Sequence, residues 1–511
     1  MNTTKKTLMA AVMAVGIIAV GGQGVAYAAP VAPTAFIAGN TGNGTNNTGS
    51  AVGGNHSANQ SNGGIATNND TGFHNNQTAT ANHNGAATNT DSGSRNNDTA
   101  IADHLGTATN TISGSNGTNT VQADHGSLTT NNDIGTGNTN KVGADNLGLA
   151  QNSSDGSSNN NTVTANNTST ALNSTAGSGN KTSVSADNSS SAIQITTGSN
   201  NKVTTTANHN STSDPFNNGF GAATSVNGSS NTVTNSANTT SGSDALVTGD
   251  HNTLSINATN SGTAAGFVNG FGNQVSATGN NGAAGGQALG NNNTVTASAT
   301  NTKVTPAVGS TNGFAASSTI GNGNTVSAVA SGANTAGTVG SGATSNANGN
   351  NNTVSTSASG GGQAIGNVNA TNANVAANNN TVNAKATTAG QATAAVTQGN
   401  ANSATATASN SGVATATVTS GNNSSATSIA DGLGSSATST AATGGKASAL
   451  ATGGGTASAT ATLPNSTATA YALGAGASAS ASQTATDPAA GTTTCSPSGF
   501  RHAATSGGSS C

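Results

Sequence analysis

Thr118-Asn119-Thr120-Val121-Gln122-Ala123-Asp124 returns as Thr139-Asn140-Lys141-Val142-Gly143-Ala144-Asp145, and again as Asn160-Asn161-Thr162-Val163-Thr164-Ala165-Asn166. The unit reads Asn-x-Val-x-Ala followed by Asp or Asn. Outward from it, Ala81, Ala102, Ala123, Ala144, Ala165, Ala186 and Ala207 follow one another at a single fixed interval, and Val121, Val142, Val163 and Val184 keep the same interval. Turn formers precede each unit, as in Gly117, Gly137-Asn138, Ser158-Asn159 and Gly179-Asn180. Apolar/polar alternation bounded by Gly and Asn is the pattern of a β-strand. No 3.6-residue stripe appears, and Gly, Asn, Thr and Ser are poor helix interiors.

The period loosens later but persists through Val233, Leu254, Val275, Val295, Val326, Val354 and Val382, each preceded by a Gly/Asn turn; Asp214-Pro215-Phe216 marks a loop insertion. A second apolar point falls within each unit, at Leu172, Ile193 with Ile195, Leu246-Val247, Phe267-Val268, Ala288-Leu289, Val339 and Ile365. Each unit therefore carries two short strands, too few to bury an apolar face alone but enough when copies stack. The sequence predicts an all-β chain, a parallel β-solenoid of about 21-residue repeats, with low-complexity flanks left open to disorder. Val, Leu and Ala columns would fill a thin core, and Asn columns would form hydrogen-bonded ladders at the corners. About fifteen layers at ~4.8 Å each would give a rod roughly 70 Å long. The competing reading is a disordered secreted linker.

Composition narrows the function. Only 5% of the 511 residues are charged, and Lys+Arg is 10, too few to neutralise a run of phosphates, so no nucleic-acid partner is expected. Hydrophobic residues reach 32%, with aromatics at 2% and no Trp, below the roughly 45–50% apolar share of ordinary globular domains. Several independent cores are therefore not expected.

The ends suggest export. Lys5 and Lys6, the apolar run from Leu8 to Val20 and Ala26-Tyr27-Ala28 fit a secretion signal over residues 1–28, cut after Ala28. No transmembrane anchor is expected after its removal, and the localisation expected is extracellular or at a bacterial cell surface. Cys495 and Cys511 lie close together in the C-terminal tail; oxidising conditions outside the cell favour a disulfide between them, worth about 3 kcal/mol, with free thiols or an intermolecular bridge as alternatives. The expected organisation is thus a signal peptide (1–28), an Asn/Gly-rich N-terminal segment (29–75), Asn/Thr/Gly-rich solenoid repeats (76–400), Ala/Ser/Thr-rich tighter repeats (401–487) and a C-terminal tail (488–511). In Ser403–Ser482 the closer Gly spacing, near a dozen, suggests one strand per turn of a tighter coil.

The Gly-x-x-Asn-x-Val-x-Ala unit resembles the curlin repeat of bacterial amyloid fibre subunits over about residues 80–385. It departs where curlins place a Gln ladder. Asn465-Ser466-Thr467-Ala468-Thr469-Ala470-Tyr471-Ala472-Leu473-Gly474 is similar to head repeats of trimeric autotransporter adhesins, without the stalk and membrane anchor that complete them. Both resemblances imply a surface-exposed β-solenoid used for assembly or adhesion.

Few residues suggest chemistry. His83, His104 and His125 share the register of the repeat and follow Asn82, Asp103 and Asp124; stacked imidazoles beside carboxylates suit Zn²⁺ or Cu²⁺, but Asn146, Asn167 and Asn188 fill the same slot later, which favours a corner taking any polar turn former. No Gly-x-Ser-x-Gly elbow, paired acids or phosphate loop stands out, so neither an enzyme nor a cofactor is expected. Thr-x-Thr pairs at Thr162-Val163-Thr164 and Thr294-Val295-Thr296 raise ice binding, against an array that looks irregular along the sequence. The expected function is a secreted or cell-surface structural or adhesive rod whose partners are itself, the cell envelope or a host surface. The alternative is a solenoid that binds ice, glycan or metal.

Overall fold

The structure is a computed structural model whose described residues lie between 47 and 510; residues 1–46, 209–220, 302–313, 333–341, 369–380, 484–490 and many shorter turn segments are outside them. The described residues form forty-two strands and no helix. They make two stacks. One holds Asn76–Ala81, Thr139–Asp145, Asn160–Asn166 and their counterparts in every coil, and is called here the alanine sheet. The other, the facing sheet, holds Ala87–Asp91, Leu149–Asp155, Thr170–Ala176 and theirs. The chain alternates between them, and each strand pairs in parallel, in register, with the strand one coil on: Asn140 with Asn161, Val142 with Val163, Ala144 with Ala165. The chain is a parallel β-solenoid with repeats of roughly 21 residues.

Each sheet has 21 strands, of which the last is antiparallel, leaving twenty coils. At ~4.8 Å per coil the rod is about 90 Å long rather than 70 Å. The difference arises because strands begin at Asn47–Thr48 and Asn55–Asn59, before the first recognisable repeat, and because two strands per coil continue through Ser403–Ala408, Val413–Val418 and Ser425–Ala430. Ser403 pairs with Ser425 and Val413 with Ser436, so the closer spacing in this section separates the two strands of one coil and is not itself a turn of the rod. At the C-terminal end Arg501–Thr505 runs antiparallel to Gly491–Ser496, and Ser509–Ser510 runs antiparallel to Ser480–Ala481, closing the edges of both sheets.

Each strand sends alternate residues inward, as a pleat requires. In the alanine sheet the third inward column contains all seven alanines of the period, and register carries it on through Ala237, Ala258, Ala299 and Ala330 to Ala472, with Gly279 in one coil. Opposite stands the first inward column of the facing sheet, Ala150, Ala171, Ala192, Ala222 and Ala264 among others. One margin of the core is thus alanine against alanine, close enough to need no large side chains.

The other margin changes character along the rod. In the N-terminal coils its columns are polar. Asn119, Asn140 and Asn161 are fully buried, and the Nδ2 groups of the first two donate to the Oδ1 one coil on: Asn119 to Asn140 at 2.7 Å and Asn140 to Asn161 at 2.9 Å. Asn152 donates to Asn173 on the facing sheet at 2.8 Å, and Asn161 crosses the core to Thr175 Oγ1 at 2.9 Å. The Asn ladders therefore lie inside the strands, not at the corners as expected. Amides stacked at the coil spacing satisfy one another, which makes their burial tolerable.

In the C-terminal coils the same columns become mostly apolar, Thr319 being one exception. Asn161 is followed in register by Thr182, Val203, Val233, Leu254 and Val275, so the later valine series continues the asparagine column and not that of Val121–Val184. Between the two regimes, Gln194 Nε2 donates to Thr182 and Thr196 and its Oε1 accepts from Thr205, which in turn accepts from Thr224 at 2.7 Å. Beyond it Asn235 donates to the carbonyls of Ala222 and Asp244, and later coils bury scattered hydroxyls such as Ser317, Thr319, Ser345, Thr356, Ser428 and Ser439.

The second apolar points also need correction. Val247, Val268 and Ala288 are buried, but Leu172, Ile193, Ile195, Leu246, Phe267 and Ile365 point outward and are only partly covered; Val339 lies outside the described residues. Register with Ala171, Asn173 and Thr175 sets this parity, and a one-residue shift would reverse every side chain.

The corner leading back to the alanine sheet recurs as Gly198, Gly228, Gly249 and Gly270, with φ between 135° and 153°. Only glycine takes that conformation readily. A Cβ at Gly198 would strike the Gly177 carbonyl of the preceding coil. Two residues on, Asn200, Ser230 and His251 adopt φ of 58–63°. The Gly-x-Asn turn signals of the sequence are these corners.

Candidate functional site

The surfaces available for function are the outer faces of the two sheets. On the alanine sheet, the outward position between the first and second inward columns is a hydroxyl column running from Thr78 through Thr162, Thr204, Thr234, Thr296 and Thr405 to Thr469, broken by Lys141 and Asn383. Its neighbour one outward position earlier bears a hydroxyl in nearly every coil from Thr232 to Ser425, with Gln274 the exception. In these nine coils the two columns form a double row, with Thr232/Thr234, Thr253/Ser255, Thr294/Thr296 and Thr353/Ser355 among its ranks, and no charged residue falls in either. Each named pair is exposed or half-exposed.

The facing sheet presents something else. Across five coils its two central outward columns carry Leu172, Ile193 and Ile195, then Ala223, Leu246, Ala265 and Phe267, interrupted by Ser174, Ser225 and Asp244. Toward the C-terminal end this face also turns to Thr, at Thr393, Thr415 and Thr438.

The residues singled out from the sequence distribute as follows. Ala81, Ala102, Ala123, Ala144, Ala165, Ala186 and Ala207 and Val121, Val142, Val163 and Val184 are all core residues, at most 3% exposed. His83, His104 and His125 lie outside the described residues. Asn167, in the register of these histidines, is described: its φ is 56° and its Nδ2 donates to Asp145 Oδ1 at 3.0 Å. A polar turn former thus fills that corner in this coil. Among the described residues, no group of three or more His, Cys, Asp or Glu is placed to hold a metal ion. Cys495 lies in Gly491–Ser496 in register with Ala472, at the end of the alanine column, and Cys511 lies outside the described residues, as does the signal segment.

Reading the sequence alone missed the buried amide columns and the continuity of the double hydroxyl row. The signal for the row was present in Thr294-Val295-Thr296, but Thr162-Val163-Thr164 flanks a different inward column, so the two pairs do not belong to one array. No protein-family description matches the chain, and no curated protein or solved structure matches it.

Proposed function

We propose that the chain is a secreted or cell-surface structural protein, non-enzymatic, acting as a stiff rod in coating, adhesion or self-assembly. The observation that carries this reading is the unbroken in-register stack of twenty coils, whose strands are joined mostly by short turns and whose length is spent on repeating outer surface. Such a stack gains stability from neighbouring coils in one dimension, and this suits a spacer or scaffold. Two strands per repeat also support the kinship with curlin-like repeats, although in register Gln363 meets only Gln391, which it reaches through a 3.2 Å hydrogen bond. The outward apolar cluster around Ile195 and Phe267 gives lateral contact with a second rod a dry centre.

Fractionation of the producing cell tests the location, and electron microscopy of the secreted chain tests the shape. Surface or medium localisation with straight rods of about 90 Å supports the reading. Cytosolic retention, or a deletion strain with unchanged surface coating, adhesion and aggregation, refutes it.

A further inference from the structure

We propose that the double hydroxyl row on the outer face of the alanine sheet, from Thr232 to Thr427, is an ice-binding surface. The row is two-dimensionally regular apart from Gln274 in one column and Asn383 in the other. Strands stacked in parallel register place its hydroxyls ~4.8 Å apart along the rod, and residues two apart on a strand place them ~6.6 Å apart across it. The spacing along the rod lies near the shorter oxygen repeat on the prism face of hexagonal ice, and the spacing across it falls somewhat short of the longer one. Beneath the row from Thr232 to Thr381 the first inward column is Val233, Leu254, Val275, Val295, Val326, Val354 and Val382, all at most 2% exposed, and Ala404 and Ala426 follow beneath its last two coils. From Val233 to Val382, apolar residues of similar size in successive coils keep the face level.

Two further observations separate the row from a by-product of composition. Coil length within it is uneven: Ser276 is followed in register by Thr296 and Thr296 by Ser327, the second coil being much the longer, yet the hydroxyl returns to the same register position, because turns and loops absorb the extra chain. The facing sheet, built from the same residue pool in the same coils, carries Ala223, Asp244, Ala265, Gly285 and Ala316 in its corresponding outward column before Thr344, Ile365, Thr393 and Thr415 follow. Hydroxyls are thus concentrated on one face. That face is also free of charge across two columns, as suits a neutral crystalline surface; strongly hydrated ions would disorder the water that the row must hold in place. Threonine supplies both parts of the contact: its hydroxyl substitutes for a lattice oxygen, and its methyl limits where neighbouring waters can sit.

The test is partition of the full secreted chain into slowly grown ice, with microscopy of crystal shape. The unmodified chain is expected to enter the ice fraction and to facet the crystals. A Thr253→Lys/Thr294→Lys/Thr353→Lys variant is expected to lose about tenfold or more of its ice-bound fraction, the factor that ~1.4 kcal/mol represents. A Thr393→Lys/Thr415→Lys variant on the facing sheet is expected to partition like the unmodified chain. All these positions are outward, and protection of backbone amides from exchange confirms that each variant keeps its coils. Exclusion of the unmodified chain from ice overturns the proposal. So does equal partition of the hydroxyl-row variant, or an equal loss in the facing-sheet control.

Discussion

Gly266 and Ile256 share one slot across the core: a Cβ at Gly266 would overlap Ile256 Cδ1 and press on Val275 Cγ1 at 3.2 Å and Leu254 Cδ2 at 3.3 Å. The same pairing of glycine with a large partner recurs at Gly286 and Gly366, where an added Cβ would lie 2.7 Å from Val295 Cγ1 and 2.8 Å from Val382 Cγ1. At these positions the facing sheet carries glycine where the alanine sheet is bulky, so side chains of different size fill the space between them. Gly266→Val is therefore expected to cost roughly 1–3 kcal/mol by overpacking. Adding Ile256→Ala to it should recover part of that loss, so the two changes are not additive. Hydrogen exchange of the surrounding coils reads this directly, since a rod of repeats loosens locally. Additive losses would show that the slot is not shared.

The amide ladder makes a second test. Asn140 accepts from Asn119 and donates to Asn161, all inside the core. Asn140→Val leaves a buried donor on Asn119 and a buried acceptor on Asn161, at about 1–3 kcal/mol for each orphaned group. Replacing Asn119, Asn140 and Asn161 together by Val removes both partners of each lost ladder bond and converts this column to what Val233 and Val275 already are. The triple variant should then be less destabilised than three times the single one, as measured by urea midpoint and amide protection. A cost that simply triples would mean the ladder bonds contribute independently.

Parity can be checked at one dipeptide. Phe267 faces outward and Val268 is fully buried. Phe267→Lys should leave amide protection of Thr263–Asn269 nearly unchanged while weakening lateral association of rods. Val268→Lys should collapse protection in that strand and its neighbours, because an unpaired charge would enter an apolar margin. The opposite result would place the strand one residue out of register.

These tests turn on features that differ in how far the sequence exposes them. The fixed interval that separates Ala144 from Ala165 is visible by inspection, and with it the strand, the stacking and the corner glycines. Which face points inward is harder to read. At Ala171-Leu172-Asn173, hydrophobicity alone buries Leu172, but a column of Asn is admissible inside once each amide meets the next, and alanine fits both sides. The continuity of column from Asn161 to Val203 is hidden for the same reason: polar residues give way to apolar ones at one position, and the eye follows Val184 to Val203 until the pairing of Lys181 with Lys202 and of Ala186 with Ala207 is used to align the strands. The hydroxyl row required the register across coils of unequal length, and no single repeat contains that information.

The C-terminal edge supplies the last prediction. Parallel stacks end in strands with unpaired N–H and C=O groups, which invite pairing with another chain. Here Arg501–Thr505 and Ser509–Ser510 run antiparallel against the last strands of both sheets, so a coil in the regular parallel sense cannot be added at that end without displacing them. Removal of residues 497–511 should uncover Gly491–Ser496 and Ser478–Gln483 and allow rods to join by their ends. Sedimentation and electron microscopy are expected to show longer, concentration-dependent particles for the truncated chain, and loss of amide protection confined to the terminal coils. Unchanged particle length together with unchanged exchange in Ala468–Leu473 and Ser478–Gln483 would show that the antiparallel strands do not guard the edge, and end-to-end growth would then have to be limited by some other element.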